Sequence, residues 1–259
     1  LATERDRRRT LLVTPFMSCS ARLPIYVLFA ELFFAEHAMA VAYSLYVIGL
    51  VMAILIAYLL HKGDRSGQED TLLIELPEYK TPNARTVAIY VWDKVKDYLT
   101  KAGTTIFLAS IILWFVLNFG VNGYTTDVTA SFAALVGKAL VPVLAPAGLG
   151  AWQIAVALIS GLSAKEVVVS SFSVLYGIGN INSPAGMAEL FGALIGTGFG
   201  QANAYALLIF CLLYSPCVAA VGTIHRETRS WKFTGAMVAF QILLAWAAAV
   251  AVYQVGIRL

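Results

Sequence analysis

Three short stretches of this chain place reactive or charged groups inside long apolar sequence. The first, Leu11 to Tyr26, reads LLVTPFMSCSARLPIY: Cys19 stands between Ser18 and Ser20, with Pro15 and Pro24 on either side and Arg22 three residues on. The second is Tyr214-Ser215-Pro216-Cys217, where a thiol again follows a hydroxyl and a helix-breaking proline. The third, Gly161-Leu162-Ser163-Ala164-Lys165-Glu166, sets a lysine and a carboxylate between apolar runs. Thiols are soft metal ligands, hydroxyls and carboxylates harder ones, so the chemistry open to these groups together is weak, mixed coordination of a cation. Each proline removes a backbone donor and can free carbonyls, which coordinate an ion where the broken segment lines a cavity.

Each stretch also has a plainer reading. Ser18, Cys19 and Ser20 are small residues that permit close helix packing. Ser163 and Glu166 have the spacing of a capping box, which predicts a new half-helix beginning at this point; Glu166 would then cap that helix and pair with Lys165 or Arg22. An intramembrane carboxylate is costly unless it is used, which favours function. Recurrence of a Cys beside a Ser and a Pro says more than either copy, because transporters place sites on interrupted helices at matching positions of two repeats. Cys211 lacks such a setting and reads as packing. Glu31, Glu36 and His37 near the outer end of the first segment could attract cations at an entrance or exit, with ordinary interfacial residues as the plainer reading; His225 and Glu227, at the cytoplasmic end of the span carrying Cys217, read as solvated loop residues. Gly196-Thr197-Gly198-Phe199-Gly200 is no phosphate loop, since no G-x-x-x-x-G-K-[S/T] exists in the chain, and no HExxH or GxSxG motif supports hydrolysis.

The elements that must position these groups follow from composition. Apolar residues make up 59% and charged residues 13%, and the mean hydropathy is +0.77. These values predict an all-α, polytopic transmembrane bundle rather than a soluble core. About 20 apolar residues cross the hydrocarbon, and the uncharged windows 42–60, 102–120, 202–224 and 233–257 qualify as spans. Residues 13–40 read as a broken segment, 151–177 as a further crossing interrupted near Gly161, and 187–200 as a re-entrant or interfacial piece. At about 1.5 Å per residue, Cys19 lies roughly 15 Å beyond the basic cluster, near the midplane. The three cysteines include no CxxC pair and read as free thiols.

Basic residues orient the spans. Arg5, Arg7, Arg8 and Arg9, the seven Lys or Arg between Lys62 and Lys101, and Arg226, Arg229 and Lys232 mark cytoplasmic regions, whereas the loop 118–150 carries only Lys138 and is placed outside. An even number of crossings must then separate that loop from Ala202. The net charge of +3 reports orientation, with no nucleic-acid partner implied. Residues 63–83 read as a linker. From Arg85 to Lys101, Ala88, Val91, Trp92, Val95 and Leu99 form an apolar stripe, which predicts an interfacial helix. The divisions expected are 1–61, 62–101, 102–150 and 151–259.

MSCSARLPIY at 17–26, GLSAKEVVVS at 161–170 and SPCVAAVGTIHRET at 215–228 resemble the gate-region motifs of FeoB, the ferrous iron transport protein B family, and RTVAIYVWDKVKDYLTKAGTTIF at 85–107 is similar to that family's segment between gates. The resemblance runs in order through nearly the whole chain. It implies a permease for Fe(II) in the bacterial cytoplasmic (inner) membrane, whose full-length form carries an N-terminal domain binding GTP and Mg. The chain opens on Leu1 and is expected to be a piece of such a protein, from the end of the first gate module onward, without the GTPase domain. No cofactor is then expected on the chain, which is expected not to be an enzyme. Cys19 falls on the first gate's Ser-Cys-Ser, Cys217 on the second gate's Pro-Cys and Glu166 on its Ala-Lys-Glu. The metal-contacting set expected is Cys19, Cys217, Glu166, Ser18, Ser20 and Ser215. Expected partners are Fe(II), the lipid bilayer, the nucleotide-binding domain and upstream gate, small cytoplasmic accessory proteins and a second copy of the chain. Rival readings are a carrier of nucleosides or another organic solute, and a membrane thiol sensor or scaffold.

Overall fold

The computed structural model describes residues 4–62, 81–101, 104, 107–121, 123–125, 128–214 and 217–258. Among them nearly all regular structure is helical. Helix α1, Glu4–Val13, gives way to a 3₁₀ turn at Thr14–Phe16 that holds Pro15. The backbone is extended at Cys19, makes a second 3₁₀ turn at Ser20–Arg22, and enters α2, Leu23–Phe34. Pro24 lies in the first turn of α2, where its missing N–H costs nothing. After a turn at Ala35–His37, α3 runs unbroken from Ala38 to Lys62. Its 25 residues reach roughly 37 Å at the usual rise, enough to cross a bilayer. Tyr43 and Ile54 on α3 are 66% and 61% exposed, while Leu45, Ala53 and Ile56 are buried; one apolar face meets the bundle and the other is left for lipid.

The same plan recurs at the far end of the chain. Helix α10, Gln201–Leu213, stops at an extended Tyr214; α11, Val218–Thr228, starts after an extended Cys217; α12, Trp231–Gly256, is then continuous. The two units run in opposite directions. Gln201 at the start of α10 donates from Nε2 to the carbonyl of Phe33 at the end of α2 (2.9 Å), and Ser44 and Tyr205 share a hydroxyl bond of 2.9 Å. The break after α10 therefore lies beside the break before α2. At Gly49 a Cβ would stand 3.0 Å from the carbonyl of Phe16 and 3.2 Å from Leu212, so α3 approaches both units closely at that level.

Between these units the chain departs from the sequence expectation. The stretch 118–150, read as an outer loop, contains a small ribbon (β1, Phe119–Gly120, paired with β2, Gly123–Tyr124) and the helix α6, Phe132–Leu144. Ser131 caps α6, accepting from the amide of Ala134 at 3.2 Å. The α6 segment, extended by a 3₁₀ turn to Ala147, bends by 100° into α7, Trp152–Ser163. Helix α8, Val167–Tyr176, then reverses instead of continuing downward. Phe172 on α8 meets Phe29 edge-on at 5.3 Å, and Phe29 and Phe33 pack with Phe199 just ahead of α10. The expected crossing over 151–177 is thus a hairpin that descends and returns. Helix α9, Pro184–Gly196, capped by Ser183, lies between this hairpin and α10.

Among the described residues three helical segments are long and apolar enough to cross a membrane, Asp6–Lys62, Gln201–Thr228 and Trp231–Gly256, or up to four if the bent α6–α7 pair counts as one. The window 102–120 is helical over α5, Phe107–Asn118, shorter than a span; residues 102–103 and 105–106 lie outside the described residues. Helix α4, Ala84–Lys101, forms as its periodicity predicts, with Trp92 and Leu99 of its stripe 68% and 60% exposed. Most of the expected linker, 63–80, also lies outside the described residues.

A candidate cation path where three helix breaks meet

Each break is shaped by its own residues. In the first, Arg22 is only 2% exposed, and its guanidinium donates to the carbonyls of Pro15 (3.2 Å) and Met17 (3.4 Å). Carbonyls exposed by the break are thereby satisfied without water, which gives a buried cation hydrogen-bonding partners. It also places Arg22 on backbone oxygens in place of the carboxylate partner that Glu166 offered in the sequence. Cys19 and Ser20 are exposed, Ser18 is half-buried, and the Ser18 hydroxyl lies 3.4 Å from that of Tyr26.

The second break leaves Tyr214 buried and Cys217 half-buried. Ser215 and Pro216 lie outside the described residues. Cys217 is the N-terminal flanking residue of α11, and its carbonyl accepts from the amide of Val221 at 3.0 Å. Cys211, inside α10 and three residues before Tyr214, is fully buried, in keeping with a packing role.

The third break is the tip of the α7–α8 hairpin, Ala164-Lys165-Glu166. The capping box expected there does not form: Ser163 is the last residue of α7, its hydroxyl donates to the carbonyl of Ser160 (2.6 Å), and Glu166 precedes α8 without a side-chain cap bond. The helix is interrupted instead by an extended Ala164, three residues beyond Gly161. Gly161 has a different task, since a Cβ there would overlap the Tyr214 hydroxyl and Val168.

Tyr214 joins the breaks. The Lys165 ammonium, on a side chain 2% exposed, sits 3.0 Å from the centroid of the Tyr214 ring. Lys165 is within electrostatic reach of Arg22, Cys19, Cys211 and Cys217, and Tyr214 of the same arginine and three cysteines. Since α10 has 13 residues, its broken end is roughly 20 Å from its start, deep in any bilayer the bundle spans. The first break, at Phe16, and the end of α10, at Leu212, both meet α3 at Gly49, and the hairpin tip reaches the same end of α10 through Gly161 and Lys165, which lie against Tyr214. Glu166 is at the same tip but exposed. Among the described residues no three His, Cys, Asp or Glu side chains gather into a group able to hold a metal. Sequence reasoning did not assign roles to Tyr214 or Tyr26, and it left Lys165 as a mere neighbour of Glu166; a lysine inside an apolar run was the available signal.

Interrupted helices that bring thiols and cations together inside an apolar bundle define a polytopic membrane protein built from gate-type units. In agreement, residues 99–231 match the gate family described as nucleoside recognition, and residues 42–94 match the family of the ferrous iron transport protein B C terminus. The chain belongs to the FeoB family. It is 39% identical over 256 residues to the Fe(2+) transporter FeoB of Staphylococcus aureus (strain COL), covering 99% of this chain and 37% of that protein. It is 36% identical over 261 residues to the Fe(2+) transporter FeoB of Methanocaldococcus jannaschii, covering 98% and 38%. A Porphyromonas gingivalis protein named Fe(2+) transport protein A/Fe(2+) transporter FeoB fusion protein is 33% identical over 299 residues, covering 99% and 35%. The chain therefore spans little more than a third of the length of the curated relatives it matches. No solved structure matches it.

Proposed function

We propose that this chain is the membrane permease portion of a GTP-dependent Fe(II) uptake transporter of the bacterial inner membrane, passing the ion between its helix breaks. The observation that carries the reading is the meeting of the two oppositely directed breaks that bear Cys19 and Cys217: Gln201 bonds to Phe33, Gly49 lies against both Phe16 and Leu212, and Lys165 of the hairpin tip sits over Tyr214. Fe(II) is a borderline cation, and a mixed set of thiol, hydroxyl and carbonyl groups holds it weakly enough to release, whereas a closed thiolate cage would retain it. Cys19, Ser18 and Ser20 at the first break and Cys217 and Ser215 at the second are the contacts proposed, with Glu166 meeting the ion at the exposed side of the hairpin tip. The divisions proposed are 1–61 with the first break, the 62–101 connection with α4, 102–150, and 151–259 with the second gate unit. GTP and Mg belong, on this reading, to a nucleotide-binding domain of the full-length protein that biases the breaks. The fusion named in Porphyromonas gingivalis supports a small accessory protein as a partner; an upstream gate and a second copy of the chain complete the proposed partners.

Fe(II) uptake by the full-length protein in proteoliposomes under reducing conditions tests the proposal, with Zn(II) and Mn(II) as competitors. Uptake that falls when Cys19 and Cys217 are both replaced by Ser is the expected result. Full uptake by that double variant would remove the thiols from the path. The description attached to residues 99–231 favours one second reading, a nucleoside carrier; nucleoside flux without Fe(II) flux from folded protein would establish it in place of the first.

A further inference from the structure

Helix α12 turns a single stripe toward the protein: Thr234, Met237, Gln241, Ala245 and Ala249 are its buried side chains, three or four residues apart. Four of them need no explanation. The Thr234 hydroxyl donates to the carbonyl of Ser230 at 3.0 Å, Met237 is apolar, and the two alanines let α10 pack closely. Gln241 is different: it is fully buried, yet neither Nε2 nor Oε1 has a hydrogen-bond partner. An amide that leaves water and bonds to nothing opposes folding, and a leucine of similar size would not.

Its height in the bundle is set by two sets of contacts. α10 and α12 run antiparallel, because Gly256 lies against Ala202: a Cβ added there would be 3.1 Å from that of Ala202. Further along, Phe210 and Tyr214 of the α10 end and Ile242 and Trp246 of α12 line one apolar cavity of about 420 Å³. Each step down α12 therefore matches a step up α10. Counted at about 1.5 Å per residue along both helices from the Ala202–Gly256 approach, Gln241 falls level with Cys217, beyond the end of α10 at Leu213. Opposite the intact helix α12 carries alanines, and opposite the break it carries an amide. Ile242 and Leu243 line the apolar cavity, whereas Gln241 belongs to the buried stripe.

We propose that Gln241 is a ligand of the cation path, its carbonyl oxygen meeting the transported ion at the break that bears Cys217. This rests on the iron reading above and adds to it a neutral oxygen from a helix no gate motif includes. A neutral carbonyl suits passage because it replaces a water of hydration without trapping the ion. It also fits a borderline divalent cation beside a thiol.

The test is Fe(II) uptake by the full-length protein carrying Gln241→Leu or Gln241→Glu, with thermal unfolding in detergent measured on each. Gln241→Leu is expected to unfold at the same or a higher temperature while uptake at low Fe(II) falls by about tenfold, the loss of one modest contact. Gln241→Glu is expected to keep uptake and to lower the half-saturating Fe(II) concentration. A stable Gln241→Leu with undiminished uptake would overturn the proposal and leave the iron reading standing. A Gln241→Leu that no longer folds would give the amide a structural role and overturn it equally. Absence of Fe(II) uptake by the folded unsubstituted protein would remove both readings together.

Discussion

Lys165 places its ammonium 3.0 Å from the centre of the Tyr214 ring. That contact ties the tip of a returning hairpin to the end of an interrupted helix, 49 residues later in the chain by their numbers. A desolvated cation over an aromatic face gains about 2 kcal/mol. The ring is needed for this and the hydroxyl is not, since the buried Tyr214 hydroxyl has no hydrogen-bond partner. Tyr214→Phe should change stability by less than about 1 kcal/mol, whereas Tyr214→Leu should cost about 2 kcal/mol or more. Unfolding of the purified protein in detergent, followed by denaturant titration, checks the pair; equal losses would show that the ring contact contributes nothing.

Gly161 is where the Tyr214 hydroxyl fits against α7. Because a Cβ at that position would overlap both that hydroxyl and Val168, Gly161→Ala should destabilise by roughly 1–3 kcal/mol. Combining it with Tyr214→Phe removes one of the two clashes. The double variant should recover part of the loss, and additive effects in the cycle would contradict the close approach.

Arg22 clamps the first break through two carbonyls. Replacement by Met leaves the oxygens of Pro15 and Met17 without these donors, at a cost of roughly 1–3 kcal/mol each. Lys is a poor substitute, because one ammonium on a flexible stem does not reproduce the planar fork. Both Arg22→Met and Arg22→Lys should lower the unfolding temperature, Met the more. A variant as stable as the parent would show that the break does not depend on the clamp.

The three thiols should react in the order of their access. Cys19 is exposed, Cys217 half-buried and Cys211 fully buried. Alkylation of native protein, read by mass spectrometry of the peptides, should therefore modify Cys19 first and Cys211 last. Fe(II) should slow Cys19 and Cys217 while leaving Cys211 unchanged. Protection of Cys211 alone would place the ion elsewhere.

Much of the architecture is written in local order. Long apolar windows dictate α3, α10 and α12 because a buried backbone must bond within its own segment, and Pro15 and Pro216 mark the breaks because proline lacks a donor. The interfacial period of α4 is equally plain from Ala88, Val91, Trp92, Val95 and Leu99. What spacing does not encode is direction in space. Ala151 to Tyr176 has the length and hydropathy of a crossing, and only the contact of Phe172 with Phe29 reveals that α8 returns. The capping box of Ser163 and Glu166 failed for a related reason: a local hydrogen bond from Ser163 to Ser160 ended one helix where the motif would have begun the next. Arg22, Lys165 and Gln241 were visible as polar residues in apolar sequence, but their partners were not. An arginine can take carbonyls 5 and 7 residues back, a lysine a distant ring, and a glutamine no protein group at all. Which of these happens depends on what antiparallel packing of two separate units brings to the same depth, and that is decided by the tertiary structure.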